Sequence, residues 1–489
     1  METSKKTRTG NNAIKLTFAK IITLAVGMLS SMLLSRFRSL TEYGTYSQLL
    51  MVINLASSLF MLGLPNCINY FLGKAKSNEE RARFLSSYYT LSTILSFVVG
   101  FVLVLSVPLI EDYFKNEYIK VFWYFLATYP WTKVVMSSTE NLLIAYNKTT
   151  IMMIYKVLNS VSLLAAILIV QITNGSFSHY MILFLAVEVV FTAWTYILAK
   201  KNALMLKFSL DKQMIKTILT FSVPIGLASM VGTINIELDK LVITSFFSTE
   251  ELAIYTNASK ELPVTIIATS ITAVLMPQVV KLLHNDSKEE AVDLWKSATT
   301  ISFAVISFIS MACVVFAPEI ITVLYSEKYL PGTTVFMIYS ILLLLRCTYF
   351  GLMLNATGKT RFVFYSSIGT LLLNVSLNYL FYRLVGFFGP AIATLLSTVI
   401  MAVIQLLYTS KKISIKFSTI FPWKSCLGYL ILNVIFAVVF YFSKLLIETR
   451  FEVNNIVLAV LLGVLWFIFY VAVVFKPLKK KWEFLNKER

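Results

Sequence analysis

Charge is scarce in this chain. Asp, Glu, Lys and Arg make up 14% of its 489 residues, where a soluble domain carries about 25%. Histidine is nearly missing, with two, and cysteine is held to four. Cys67, Cys313, Cys347 and Cys426 stand far apart, so no pair has metal-ligand spacing and neither a zinc site nor a disulfide framework is implied. His179 and His284 are each isolated between apolar runs, so neither is expected to carry catalysis or hold a metal. No cofactor is implied. Long polar stretches are missing too. The two longest connections cover roughly 200–216 and 281–297, which leaves no room for a soluble domain.

What is present is apolar: 57% of the residues, with a mean hydropathy of +0.76. Runs of about 18 or more such residues read as transmembrane helices. We count about fourteen, centred near residues 24, 58, 96, 132, 161, 189, 228, 267, 308, 343, 372, 398, 434 and 464. The fold class is therefore an all-α integral membrane protein. Lys5, Lys6 and Arg8 precede the first run, which is too long for a cleaved leader and reads as a retained anchor. The net charge of +18 is gathered in short loops such as Lys74–Lys76, Arg81–Arg83, Lys200–Lys207 and Lys411–Lys412, and in Lys479–Lys481. Lys/Arg-rich short loops stay cytoplasmic. An even number of spans then puts both termini inside, and the charge signals topology, not nucleic-acid binding.

The chain repeats itself. Glu42 and Tyr46 recur as Glu251 and Tyr255, 209 residues on. Ser77, Glu79 and Glu80 recur as Ser287, Glu289 and Glu290 at 210, and Lys148-Thr149 as Lys359-Thr360 at 211. A drift of single residues is what two diverged copies give. The expected lobes are 1–205 (spans one to six) and 206–412 (spans seven to twelve), with 413–489 holding two further spans. Six spans is an even number, so the copies share one orientation and a pseudo-two-fold along the membrane normal, as in alternating-access transporters. Ser77-x-x-Glu80 and Ser287-x-x-Glu290 have capping-box spacing, so each is expected to start a helix. Pro65, Pro130, Pro224, Pro263 and Pro277 fall inside several of the expected spans and are candidate kinks.

Several charges lie where charge is costly, at least about 2.5–3.5 kcal/mol each in hydrocarbon. Lys133 shifted by 211 residues lands two positions from Arg346, so a cation recurs at similar depth in spans four and ten. With Lys260 these suggest a cationic, substrate-binding chamber suited to phosphate, which Lys meets as a point charge and Arg as a fork. A lipid-linked pyrophosphate is the natural ligand. Lys20, Glu140, Lys156, Glu188 and Asp239 are secondary candidates, for substrate or for a coupling ion, H+ or Na+. The alternative is internal pairing: Lys133 with Glu140 two turns away, Asp239 with Lys240, or snorkelling of Lys20, Lys156 and Glu140 to the boundary. Tyr129, Trp131 and Tyr349 could stack on sugar rings.

The segment NVSLNYLFYRLVGFFGPAIATLLS, with Asn374, Asn378, Gly386, Gly389, Ala391, Ala393, Thr394 and Ser397, resembles a signature of polysaccharide flippases. These form the O-antigen (Wzx-type) branch of the multidrug/oligosaccharidyl-lipid/polysaccharide exporter superfamily. SRFRSLTEYGTYSQLL and DKLVITSFFSTEELAIYTNASK resemble the same family's two lobe signatures. The resemblance implies a fourteen-helix, two-lobe fold in the bacterial cytoplasmic membrane. It also implies export of an undecaprenyl-pyrophosphate-linked oligosaccharide for surface polysaccharide such as lipopolysaccharide O-antigen, with no catalytic residues. Two rivals stand beside it. A cation-coupled multidrug exporter would want an anionic chamber. A membrane glycan polymerase or glycosyltransferase would want a large outer loop or an acidic metal motif, and neither is present in the sequence.

Overall fold

The computed structural model describes residues 2–203 and 206–486. Every regular element among them is helical. Eleven helical segments are long and apolar enough to cross a membrane, and a bent pair makes twelve. Two features bring the arrangement to the fourteen expected. Residues 360–413 form two packed antiparallel helices across a three-residue connection. The span expected near 132 is broken at Ser138 into pieces too short to qualify singly. The side chains of Lys5, Lys6 and Arg8 lie outside the described residues.

The described chain divides into two compact units, Met1–Ala253 and Ile254–Arg489. In the first, α1 (Glu2–Phe37) leads to α2 (Leu40–Phe60) and α3 (Leu64–Lys74), which meet at a 41° bend. Then come α4 (Asn78–Leu105), α5 (Val107–Phe114), a 3-10 turn (Glu117–Phe122), α6 (Trp123–Ser137), α7 (Thr139–Ala145), α8 (Thr149–Ile172), α9 (Phe177–Ala203) and α10 (Lys212–Phe246). α11 (Thr249–Ala258) carries the chain over the division. The lobe boundary expected at 205/206 touches Met205, which lies outside the described residues; α10, which follows it, packs on α2 and α3. The bend after α2 depends on Gly63, whose φ of +69° is open to glycine. α10 passes close by at Gly226, where a Cβ would stand 2.3 Å from the carbonyl carbon of Leu62.

In the second unit, α12 (Thr265–His284) and α13 (Lys288–Val315) precede α14 (Ala317–Leu324) and a 3-10 turn (Glu327–Gly332). α15 (Thr333–Leu342), a 3-10 segment (Leu343–Cys347) and α16 (Leu352–Ala356) form another broken span. α17 (Thr360–Val385), α18 (Gly389–Ile413), the short α19 (Phe417–Ile420), α20 (Trp423–Arg450) and α21 (Asn455–Asn486) complete it. The last two long helices are fastened to α13. Asn433 donates to the Ser307 hydroxyl at 3.0 Å, Tyr470 donates to the Ala304 carbonyl at 2.7 Å, and Trp466 stacks on Phe440.

The internal repeat is visible element by element. α4 and α13, α5 and α14, and the two 3-10 turns start and stop 210 residues apart, and α8 and α17 start 211 apart. Local bonds recur with them. Ser39 and Glu42 form a reciprocal capping box, and Ser248 with Glu251 makes the same pair of bonds 209 residues later. The amide of Lys148 reaches the Leu143 carbonyl as that of Lys359 reaches Leu354. The drift from 210 to 211 falls in the broken spans, where the two copies differ most.

Both helices expected from the Ser-x-x-Glu spacing start where expected, α4 at Asn78 and α13 at Lys288, but neither forms the full reciprocal box. Ser77 does accept the Glu80 amide at 3.1 Å, but Glu80 turns back to the amide of Lys76. Ser287 makes no side-chain cap: Asp286, at φ +58°, folds the chain so that the Ser287 amide meets the Leu282 carbonyl. That leaves Ser287 outside the extended conformation an N-cap needs. Of the five prolines, Pro130, Pro224 and Pro277 lie inside helices, Pro65 opens α3, and Pro263 precedes α12.

Candidate functional site

The first unit carries a polar chain across three helices. Lys133 on α6 donates to the side-chain oxygen of Asn54 on α2. Asn54 donates in turn to Glu237 Oε1 on α10 at 2.9 Å. Lys240, one helical turn on, donates to Glu237 Oε2 at 2.8 Å. Glu237 is buried, so its charge needs neighbours of this kind. One cation pairs with it directly and the other through a neutral amide. Lys133 therefore points into helix packing, and among the described residues it makes no ion pair with a carboxylate. Its expected partner two turns away, Glu140, pairs with Lys156 on α8 instead. Lys240 pairs with Glu237, three residues back on the same helix. Residues three apart share a helix face; Asp239 is buried as well.

Glu188 on α9 stands apart from these pairs. It is buried, and among the described residues its carboxylate meets only the neutral amide of Asn159 on α8, at 3.1 Å. Toward one end of α9, Tyr46, Tyr129, Tyr180 and Phe184 form an edge-to-face aromatic cluster. Lys20 lies exposed on α1.

In the second unit the broken span decides where Arg346 sits. The 3-10 segment Leu343–Cys347 carries it, and Thr348 beyond is extended, fixed by Trp295 Nε1 at 2.8 Å. Arg346 directs Nε and Nη2 at one oxygen of Glu261, at 3.0 and 2.6 Å, with both side chains partly exposed. Lys260, exposed, is the chain neighbour of Glu261, in the stretch between α11 and α12. Arg346 and Glu261 thus meet in one unit, with Lys260 next to Glu261 in the chain, while Lys133 belongs to the other unit. The aromatic candidates are engaged locally. Tyr129 stacks on Phe125, Trp131 stacks on Phe97 and donates to Tyr196, and Tyr349 accepts from Asn355.

Sequence reasoning missed Asn54 and Asn159, because an asparagine in an apolar run gives no signal until a carboxylate is placed beside it. It also missed the pair of Glu319 on α14 with Lys444 on α20, both buried and 125 residues apart. Among the described residues no cluster of three metal-ligating side chains is found.

A sequence model of one family, described as polysaccharide biosynthesis protein, matches residues 33–333, well over half of the chain. The chain belongs to that family. It is 24% identical over 251 residues to the capsular polysaccharide biosynthesis protein CapF of Staphylococcus aureus, a match covering 49% of this chain and 62% of CapF. The chain thus matches less than two thirds of that relative's length. Among solved structures, the fold is similar to the lipid II flippase MurJ in an inward closed conformation. That similarity has a TM-score of 0.74 and 16% identity over 95% of this chain and 99% of MurJ. An inward-facing multidrug resistance transporter of the MATE family gives 0.65 and 17%, over 82% and 98%. The fold of this family member is therefore that of multidrug/oligosaccharidyl-lipid/polysaccharide exporter proteins, and it is a multi-pass membrane protein.

Proposed function

We propose that the protein is a flippase that carries an undecaprenyl-pyrophosphate-linked oligosaccharide across the bacterial cytoplasmic membrane for surface polysaccharide synthesis. The lobes are 1–205 and 206–412, with 413–489 appended, and cargo passes by alternating access between two states a few kcal/mol apart. Lys133, Lys260 and Arg346 receive the pyrophosphate. The observation that carries this reading is the state of these cations. Lys133 is held by a neutral amide oxygen, so its charge is not cancelled at contact. Arg346 spends Nε and Nη2 on Glu261, which leaves Nη1 to meet a phosphate oxygen. Family membership supports the polysaccharide half of the proposal. Both termini lie in the cytoplasm.

If transport is coupled to H+ or Na+, Glu188 is the carboxylate best suited to bind the ion. Glu140 is already paired with Lys156, and Glu237 with Lys240. The rival reading, a cation-coupled multidrug exporter, is favoured by the MATE-like fold alone.

The experiment is complementation of a strain lacking the protein. Arg346→Ala, or Lys133→Ala with Lys260→Ala, should reach the membrane at wild-type level. Each should abolish surface polysaccharide while lipid-linked oligosaccharide accumulates inside. Normal surface polysaccharide in either properly inserted variant overturns the cargo site. Raised resistance to cationic dyes on overexpression, with polysaccharide unchanged by deletion, would establish the rival.

A further inference from the structure

α21 is 32 residues long, about 48 Å at 1.5 Å per residue, against a hydrocarbon core of about 30 Å. One end must project past the acyl chains. The sequence says which: Lys476, Lys479, Lys480 and Lys481 crowd its last turns, followed by exposed Trp482, an interfacial anchor. At that level α21 meets the first turns of α13, and a hollow lies between them. It is lined by Asp293, Lys296 and Ser297 from α13 and by Lys480, Lys481 and Phe484 from α21.

The charges around this hollow do not balance. Lys296 is paired with Asp293 at 2.7 Å. Glu483, the nearest acid on α21, is turned to Lys479 at 4.0 Å. Among the described residues, Lys480 and Lys481 have neither an ion pair nor a side-chain hydrogen bond. Three ammonium groups and one carboxylate thus face a concave, partly apolar site at headgroup depth. Below it, Phe475 and Ile468 on α21 are exposed, as a lipid-facing surface should be.

We propose that this hollow binds the phosphate of an anionic phospholipid. Lys480 and Lys481 hold the phosphodiester oxygens, and the acyl chains run along the exposed face of α21. Basic pockets between membrane helices recognise anionic headgroups in this way. A soluble phosphate offers the same charge, but it lacks the chains that the adjoining apolar face would cover. The site pins α21 to α13 whatever the cargo, so it stands or falls separately from the flippase reading.

Thermal melting of the purified full-length protein in detergent tests this, titrated with phosphatidylglycerol, phosphatidylcholine of the same chains, or inorganic phosphate. Phosphatidylglycerol should raise Tm, and the other two should not. K480Q/K481Q should melt like wild type without lipid but need about thirtyfold more phosphatidylglycerol for half the shift, the worth of two lysines near an anionic lipid. K411Q/K412Q, with the same charge loss elsewhere, should respond as wild type. An undiminished response in K480Q/K481Q, an equal loss in K411Q/K412Q, or an equal shift from inorganic phosphate would overturn the site. Should K480Q/K481Q prove unstable, K480Q alone is scored by the phosphatidylglycerol it retains in native mass spectrometry: reduced retention supports the site, and wild-type retention overturns it.

Discussion

Glu319 and Lys444 put opposite charges where neither meets water, joining α14 to α20, with Glu448 3.9 Å from the same ammonium. Such a pair contributes little net stability against a well-packed apolar substitute, but removing one member strands the other. Glu319→Ala should therefore cost about 3–5 kcal/mol, while Glu319→Leu with Lys444→Met should cost much less. Melting of the two variants in one detergent checks this. Equal destabilisation would mean that the pair is not desolvated. The same reasoning applies to Glu237, which has two cations around it, and sets Glu188 apart, since its bond is to an amide. The Glu237–Lys240 pair follows from helical spacing of three, but the contacts between helices could not be read from the sequence. Lys133 is 79 residues from Asn54, and Asn54 is 183 from Glu237. Cost in hydrocarbon marked the charged residues as requiring partners, but only packing named the partners.

Between helices, the connection from α9 to α10 is tied down by one acid. Asp211 caps α10 through the amides of Gln213 and Met214, both at 3.1 Å, and receives Arg83 Nε from α4 at 2.6 Å. Arg83, with the Met214 amide next, holds the Asp211 carboxyl below the usual carboxylate range. A depressed acid stabilises the fold above its ordinary value and loses that contribution as pH falls through the lowered one. The first turn of α10 should thus keep its hydrogen-exchange protection at neutral pH and lose it only in acid below the ordinary carboxylate range. Asp211→Asn, which still caps, should show no such acid transition once intrinsic rates are corrected. A transition that persists in Asp211→Asn would place the tether elsewhere. At this scale much was legible. Ser39-x-x-Glu42 starts a helix by its own spacing, and its copy at Ser248 does the same. Ser287 also precedes its helix, at Lys288, but makes no side-chain cap because the preceding residue's left-handed turn set its backbone. The break in α6/α7 left only a weak signal, because the short polar stretch Ser137–Asn141 is flanked on both sides by apolar residues that read together as one span.

Across the whole molecule, duplication carries the functional reading. Two copies with matching element boundaries are what the proposed alternating access would use as its two halves. The proposed alternation can be tested at Lys260, which lies exposed in the second unit. In Lys260→Cys, labelling by a membrane-impermeant maleimide should change severalfold between cells that make the lipid-linked oligosaccharide and cells blocked in its synthesis. Identical rates in the two strains would argue against a cargo-dependent switch at this position.

Hydropathy, the 209–211-residue repeat and the flippase-like signatures determined by themselves that this is an all-helical, duplicated membrane protein of a polysaccharide biosynthesis family. These properties are periodic or additive along the chain, and water and lipid read them locally. The tertiary structure alone decided which carboxylate neutralises which cation, where the spans break, and that Arg346 shares Glu261 while Lys133 rests on an amide. The Lys133–Asn54, Arg346–Glu261 and Asn54–Glu237 contacts join residues 79 to 183 apart, and in a low-dielectric interior a few ångströms separate a satisfied charge from a stranded one.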